Sequence, residues 1–180
     1  MLTKAALKKH LKQLNQEQLR GLLLECFSIN KDVERFLSVK LVGDEAAKAL
    51  FPEYRKKVED EFFPARGHGK LRLKEAKQAI SDFVKLTGDE MLALELRFIY
   101  VENGVEFTRA FGDIDERFYN SIISVFGDIV RSINDGESEE LFNKYEERIQ
   151  RVLDRSSGIG WGFNEGLYDH YYELAWHTED

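Results

Sequence analysis

Cysteine, proline and long apolar runs are scarce in this chain of 180 residues. The single cysteine, Cys26, excludes an intrachain disulfide and indicates a reducing, cytoplasmic compartment. Only two prolines occur, and the abundance of Leu, Glu, Lys and Ala favours helix over sheet. Lysines interrupt the first apolar residues, so we expect neither a signal peptide nor a segment that spans a membrane.

The net charge of −7 is unevenly distributed along the chain. Basic residues outnumber acidic ones five to two in residues 1–30, both number fifteen in residues 31–112, and six face sixteen in residues 113–180. Because such an acidic region repels a phosphate backbone, we do not expect nucleic acid as a partner. The first helix, with lysines at positions 4, 8, 9 and 12, leaves weak nucleic-acid binding as a third alternative.

Apolar residues recur at helical spacing, and no stretch alternates as a strand would. We therefore predict an all-α fold: a single compact domain over residues 1–180, with eight or nine mostly antiparallel helices. A helical hairpin, residues 1–29, is expected to pack on the rest. Residues of about 90–111 are apolar in nearly every direction around the helix axis, which predicts a buried central helix. An α-solenoid is the alternative, although no repeat period supports it.

The segment Ser156–Phe163 carries three glycines that alternate with Ile, Trp and Phe. No strand precedes it, so a loop that places Trp161 and Phe163 in the core is favoured over a phosphate-binding loop. Asn164 is expected to cap the last helix. The aromatic face of that helix is either core or a dimer contact, and consists of Tyr168, Tyr171, Tyr172 and Trp176.

Two glutamates on the central helix, Glu102 and Glu106, lie four residues apart and so share one face with Asn103 beside them. Paired carboxylates suit acid–base catalysis or a metal, but the helical Glu-x-x-His motif is absent. The histidines show no ligand spacing: His10, His68, His170 and His177. We expect no metal and no cofactor, and favour ion pairs between these glutamates and Arg66 or Arg72.

A polar pocket with an aromatic wall is the sharpest prediction for a site. The basic loop of residues 66–72, the glutamate face, a turn in which Asp113 and Glu116 cap a helix, and Trp161 would converge in it. Its candidate residues are Arg66, His68, Arg72, Glu102, Asn103, Glu106, Asp113 and Trp161.

Several motifs together resemble one family of small, uncharacterised bacterial all-helical proteins, filed as a domain of unknown function. They lie at Phe62–Pro64, Tyr100–Thr108, Gly112–Asp115 and Gly158–Gly162. The resemblance implies a cytoplasmic bacterial protein and brings no activity, cofactor or catalytic residue. We favour a non-catalytic helical domain for protein interaction or self-assembly. A small enzyme or ligand-binding protein that uses the predicted pocket is the alternative.

Overall fold

The computed structural model describes residues 1–176, which contain nine α-helices and no strand. The all-α prediction is confirmed, and the predicted central helix coincides with α6. His177 lies outside the described residues. The helices are α1 (Lys4–Leu11), α2 (Gln16–Ile29), α3 (Lys31–Val42), α4 (Asp44–Phe62), α5 (Leu73–Thr87), α6 (Glu90–Phe111), α7 (Glu116–Asp135), α8 (Glu139–Ser156) and α9 (Phe163–Tyr171).

Two predicted helix caps are wrong by a few residues. Asp115, rather than Asp113, caps α7, because its carboxylate accepts a hydrogen bond of 2.8 Å from the amide of Phe118. The last helix begins after Gly162, whose φ of 66° suits glycine. Asn164 therefore lies inside α9, where its side-chain amide donates to the carbonyl of Leu153.

The chain divides into two compact units, Met1–Ala49 and the part that begins at Leu50. In the first unit, α2 packs on α3, and only Val39 and Ala47 are buried. The core of the second unit is much larger. The organisation of the whole chain as one domain, with the hairpin of residues 1–29 packed on the rest, remains a prediction.

The second unit is a bundle around α6, which packs against α5, α7 and α8. The end of α4 joins them through Phe62, whose ring lies 5.3 Å from that of Tyr100. Tyr100 and Thr108 bond Ser121 and Tyr119 respectively, so α6 and α7 are antiparallel. Arg148 and Arg155 of α8 pair with Glu102 and Glu106 of α6 in the same order along both helices, so α8 is parallel to α6.

A close approach of α6 and α7 requires glycine at position 104. A Cβ built there would lie 2.4 Å from Cδ1 of buried Ile122. A Cβ built on Gly127 would similarly lie 2.8 Å from the ring of His170. Gly21 in α2 differs, because nothing lies within 4 Å of a Cβ built there.

Two glycine substitutions in helix interiors should therefore have opposite effects. Gly104→Ala forces Ile122 and its neighbours to move, and should destabilise the protein by about 1–3 kcal/mol. Gly21→Ala, the matched control, meets no neighbour and should stabilise α2 by roughly 0.5–1 kcal/mol. Urea unfolding followed by circular dichroism measures both, and equal effects would contradict the proposed close approach.

Candidate functional site

The glutamates of α6 face an arginine of α8. The guanidinium of Arg148 donates through Nη1 to Glu95 at 2.5 Å. Through Nε and Nη2 it donates to the two oxygens of Glu102, at 2.5 and 2.8 Å. The contact with Glu102 is bidentate, which is the strong geometry for an arginine and a carboxylate. One cation thus bridges two carboxylates seven positions apart on the helix.

Aromatic rings support this arginine from below. Its guanidinium lies 4.5 Å from the centre of the Phe98 ring, and Phe98 stacks on Tyr145 at 4.9 Å. The hydroxyl of Tyr145 in turn donates to Glu95 at 2.6 Å. Phe98 and Tyr145 are buried, so the ion pairs stand on the hydrophobic core and Arg148 also gains a cation–π contact.

The proton affinities follow from this arrangement. Burial alone would raise the pKa of Glu95, but hydrogen bonds from Tyr145 and Arg148 outweigh it and lower the pKa. Burial and the hydrogen bond to Glu95 raise the pKa of the Tyr145 phenol. Burial opposes the charge of Arg148, yet its bonds to Glu102 and Glu95 raise its pKa. Glu95 is therefore held as a carboxylate and Tyr145 as a neutral donor.

Glu106 forms a second ion pair one turn further along α6. Both of its carboxylate oxygens accept hydrogen bonds from Arg155, and Oε2 lies 2.6 Å from Nη2 of the arginine. Glu102, Asn103 and Glu106 line one groove of about 480 Å³, as the sequence predicts for residues on one face. The side-chain amide of Asn103 donates to the carbonyl of Ile99 at 2.7 Å, so it is engaged within its own helix.

The predicted partners of these glutamates are wrong. Arg72 pairs instead with Glu61, a residue only 5% exposed at the end of α4. Its Nε and Nη2 donate to the Glu61 carboxylate at 3.1 and 2.6 Å. The backbone of Gly69 lies against the carbonyl of Phe62, so the basic loop turns back over α4. Arg66 and His68 are exposed and belong to no ion pair among the described residues.

The remaining candidates lie at the loops that follow α6 and α8. Asp113 accepts a hydrogen bond from the hydroxyl of Tyr119, and it lies 3.5 Å from a Cβ built on Gly160. Phe163 is fully buried as predicted, but Trp161 is 60% exposed and does not fill the core. The backbone explains the difference, because Trp161 takes a left-handed φ of 65° in the turn before α9.

α9 ends at Tyr171, so Tyr172 and Trp176 follow the helix instead of lying on it as predicted. The predicted aromatic face is mostly inward. Three of its four residues pack against the core: Tyr168, Tyr171 and Trp176. Tyr172 is the exposed member. This arrangement matches the core interpretation of that face and gives little surface for a dimer contact.

The arginines and Glu95 were not among the sequence candidates, although a signal for them exists. Glu95 and Glu102 are seven residues apart, and so are Arg148 and Arg155. Opposite charges that recur on one side of each helix predict ion pairs if the helices are parallel neighbours, although Arg148 takes both Glu95 and Glu102, and Arg155 takes Glu106. Among residues 1–176, no group of three or more His, Cys, Asp and Glu side chains could hold a metal ion. The cluster is a network of paired charges beside an open groove.

The fold and this network define an all-helical protein whose central helix carries its glutamates in ion pairs. The chain belongs to a family of unknown function, DUF6155, whose profile matches residues 2–173. Searches of curated proteins and of solved structures found no match. No helix within residues 1–176 is long and apolar enough to cross a membrane.

Removal of Arg148 should weaken the fold more than removal of a surface arginine. Arg148→Leu leaves Glu95 and Glu102 without a cation, and should cost about 1–3 kcal/mol of unfolding free energy. Arg151→Leu is the matched control on the same helix, because within residues 1–176 Arg151 pairs only with Glu147, which is 91% exposed, and should cost about 0–0.5 kcal/mol. Urea unfolding at neutral pH compares them, and equal losses would contradict the structural role of Arg148.

Acid should destabilise the protein partly through Glu95. Because its folded pKa is lowered, its contribution is complete above the unfolded pKa of about 4.3 and is lost as pH falls through the folded value. Glu95→Gln should therefore be less stable than the wild type near neutral pH, and should lose less further stability as pH falls from about 5 to about 3. Urea unfolding over this range measures the slopes, with Glu147→Gln as the exposed control. An unchanged slope in Glu95→Gln would refute the assignment.

Proposed function

We propose that this chain is a non-catalytic, cytoplasmic bacterial domain that assembles with a second copy of itself through α2 and α3. We call this helix pair the hairpin of α2 and α3; it is not the predicted hairpin of residues 1–29. The exposed apolar surface of α2 is the observation that carries the proposal. The single cysteine supports a reducing compartment, and the motif resemblance supports a bacterial source.

The apolar residues of α2 occupy two sides of the helix. At about 100° per residue, Leu22 and Ile29 share one side, while Leu23, Leu24 and Phe27 share another. All five are exposed, and Leu24 and Ile29 are 67% and 77% accessible. Because α3 can cover only one side of α2, the hairpin leaves apolar surface that another chain would bury.

Charge favours a second copy over a partner of one sign. Residues 16–42 carry four basic and four acidic side chains, so the hairpin is neutral overall. A neutral surface can meet its own copy about a two-fold axis without net repulsion. Three more apolar side chains on α3 are exposed and extend the surface: Phe36, Leu41 and Val42.

An enzyme that uses Glu102 and Glu106 is supported less well. Arg148 and Arg155 already neutralise these carboxylates with bidentate hydrogen bonds. A substrate would have to displace those arginines before it could meet either carboxylate.

Self-assembly is tested by one charge placed in the apolar surface. We expect the wild type to have the mass of a dimer, and Leu24→Glu to weaken association at least about tenfold, since burial of a charge opposes the interface. Light scattering coupled to size exclusion, followed by analytical ultracentrifugation, measures both masses over a range of concentrations. Because Leu24 is exposed, helicity by circular dichroism should stay unchanged.

Asn120→Glu is the matched control, because it adds the same charge at an exposed position of α7, outside the apolar surface of α2 and α3. It should leave the mass unchanged. A wild type that stays monomeric at about 100 μM, or a Leu24→Glu dimer as tight as the wild type, would contradict the proposal.

A further inference from the structure

Exposed aromatic side chains gather at the end of the second unit where α4, α6 and α8 finish. Phe63 follows α4 and Phe111 ends α6, and their rings stack 6.3 Å apart at an interplanar angle of 29°. They are 39% and 60% exposed. The loop that carries exposed Trp161 meets the loop after Phe111, because Gly160 lies beside Asp113. We call Phe63, Phe111 and Trp161 the aromatic end.

Two cations without an ion-pair partner among residues 1–176 adjoin one side of the aromatic end. Arg66 and Lys70, with His68 between them, follow Phe63 in the loop that Glu61 and Arg72 fasten to α4. All three are exposed, and none of them makes an ion pair with residues 1–176. The basic residues just before this loop differ, since α4 pairs each of them with a carboxylate four residues away: Arg55, Lys56 and Lys57. These loop cations are therefore available to a partner.

Carboxylates adjoin the other side. Asp113, Asp115 and Glu116 are exposed and follow Phe111 directly. Phe63 is joined to the cations, Phe111 to the carboxylates, and the two rings stack on each other. The two stacked rings are thus followed along the chain by opposite charges, cations after Phe63 and carboxylates after Phe111.

We propose that the aromatic end binds a segment of another protein in which acidic residues flank an aromatic or aliphatic side chain on one side. The apolar side chain contacts Phe63 and Phe111, while the acidic residues meet Arg66 and Lys70. Aromatic anchors with charges at their rim are the usual composition of a binding hot spot. A nucleic acid fits less well, because its uniform negative charge would pass over Asp113 and Glu116.

The probe is a phage-displayed library of random peptides of about twelve residues, selected on the full-length protein. Enriched peptides should combine Asp or Glu with an aromatic or aliphatic residue. Synthesised singly, they should change the fluorescence of Trp161 on binding. They should bind Phe111→Ala and Lys70→Glu at least about tenfold more weakly than the wild type, the usual loss at a hot spot.

Lys85→Glu is the matched control, since it makes the same charge change at the far end of α5 and should leave affinity unchanged. Urea midpoints check that each variant is folded, and Lys70 is exposed, so at least one variant keeps the test open. Failure to enrich any peptide, enrichment without acidic residues, or equal affinity for Phe111→Ala and Lys70→Glu would overturn the proposal. So would binding of an oligothymidylate of about 20 nucleotides that the same two variants abolish.

Discussion

The burial of α6 by helices on several sides is the constraint on which the second unit depends. A helix in that position must satisfy its polar side chains within the protein, because water cannot reach them freely. Its hydroxyls bond to α7, and its glutamates bond to α8. Since Arg148 bonds Glu95 and Glu102, and Arg155 bonds Glu106, the same bonds that satisfy the charges also fix the register of α8 along α6.

This register explains where the exposed chemistry lies. The parallel order of α6 and α8, and the contact of α4 with the end of α6, bring three loops to the same end of the bundle. The loops that start there carry cations, carboxylates and Trp161, whereas the helices behind them carry the core. A well-packed scaffold with variable loops at one end is the usual arrangement for recognition.

Local sequence patterns predict this fold better than they predict the contacts between its helices. The all-round apolar pattern was sufficient to place α6 at residues 90–111, because burial on every side leaves no polar face. The sequence pattern predicts the partners of Glu102 and Glu106 in the most basic loop. In the structure, Arg148 and Arg155 on an ordinary amphipathic helix pair with these glutamates. That choice needs the direction and register of α8, which no local pattern contains. The prediction that Trp161 lies in the core is wrong for another reason. In a turn that alternates glycine with large residues, the backbone φ of each residue decides which side chain points inward.

The two surfaces that the protein leaves uncovered differ in kind, and this difference bears on their roles. The hairpin of α2 and α3 is neutral and aliphatic, which suits an identical surface, whereas the aromatic end separates positive from negative charge and suits an unlike segment. The two surfaces therefore select partners of different chemistry. If the hairpin joins two copies, each assembly carries two aromatic ends, so a weak segment that occurs twice in a partner would be held by both. Linked sites of this kind raise the apparent affinity by about 10²–10⁴ without any new contact, which allows a small surface such as Phe63 and Phe111 to bind effectively.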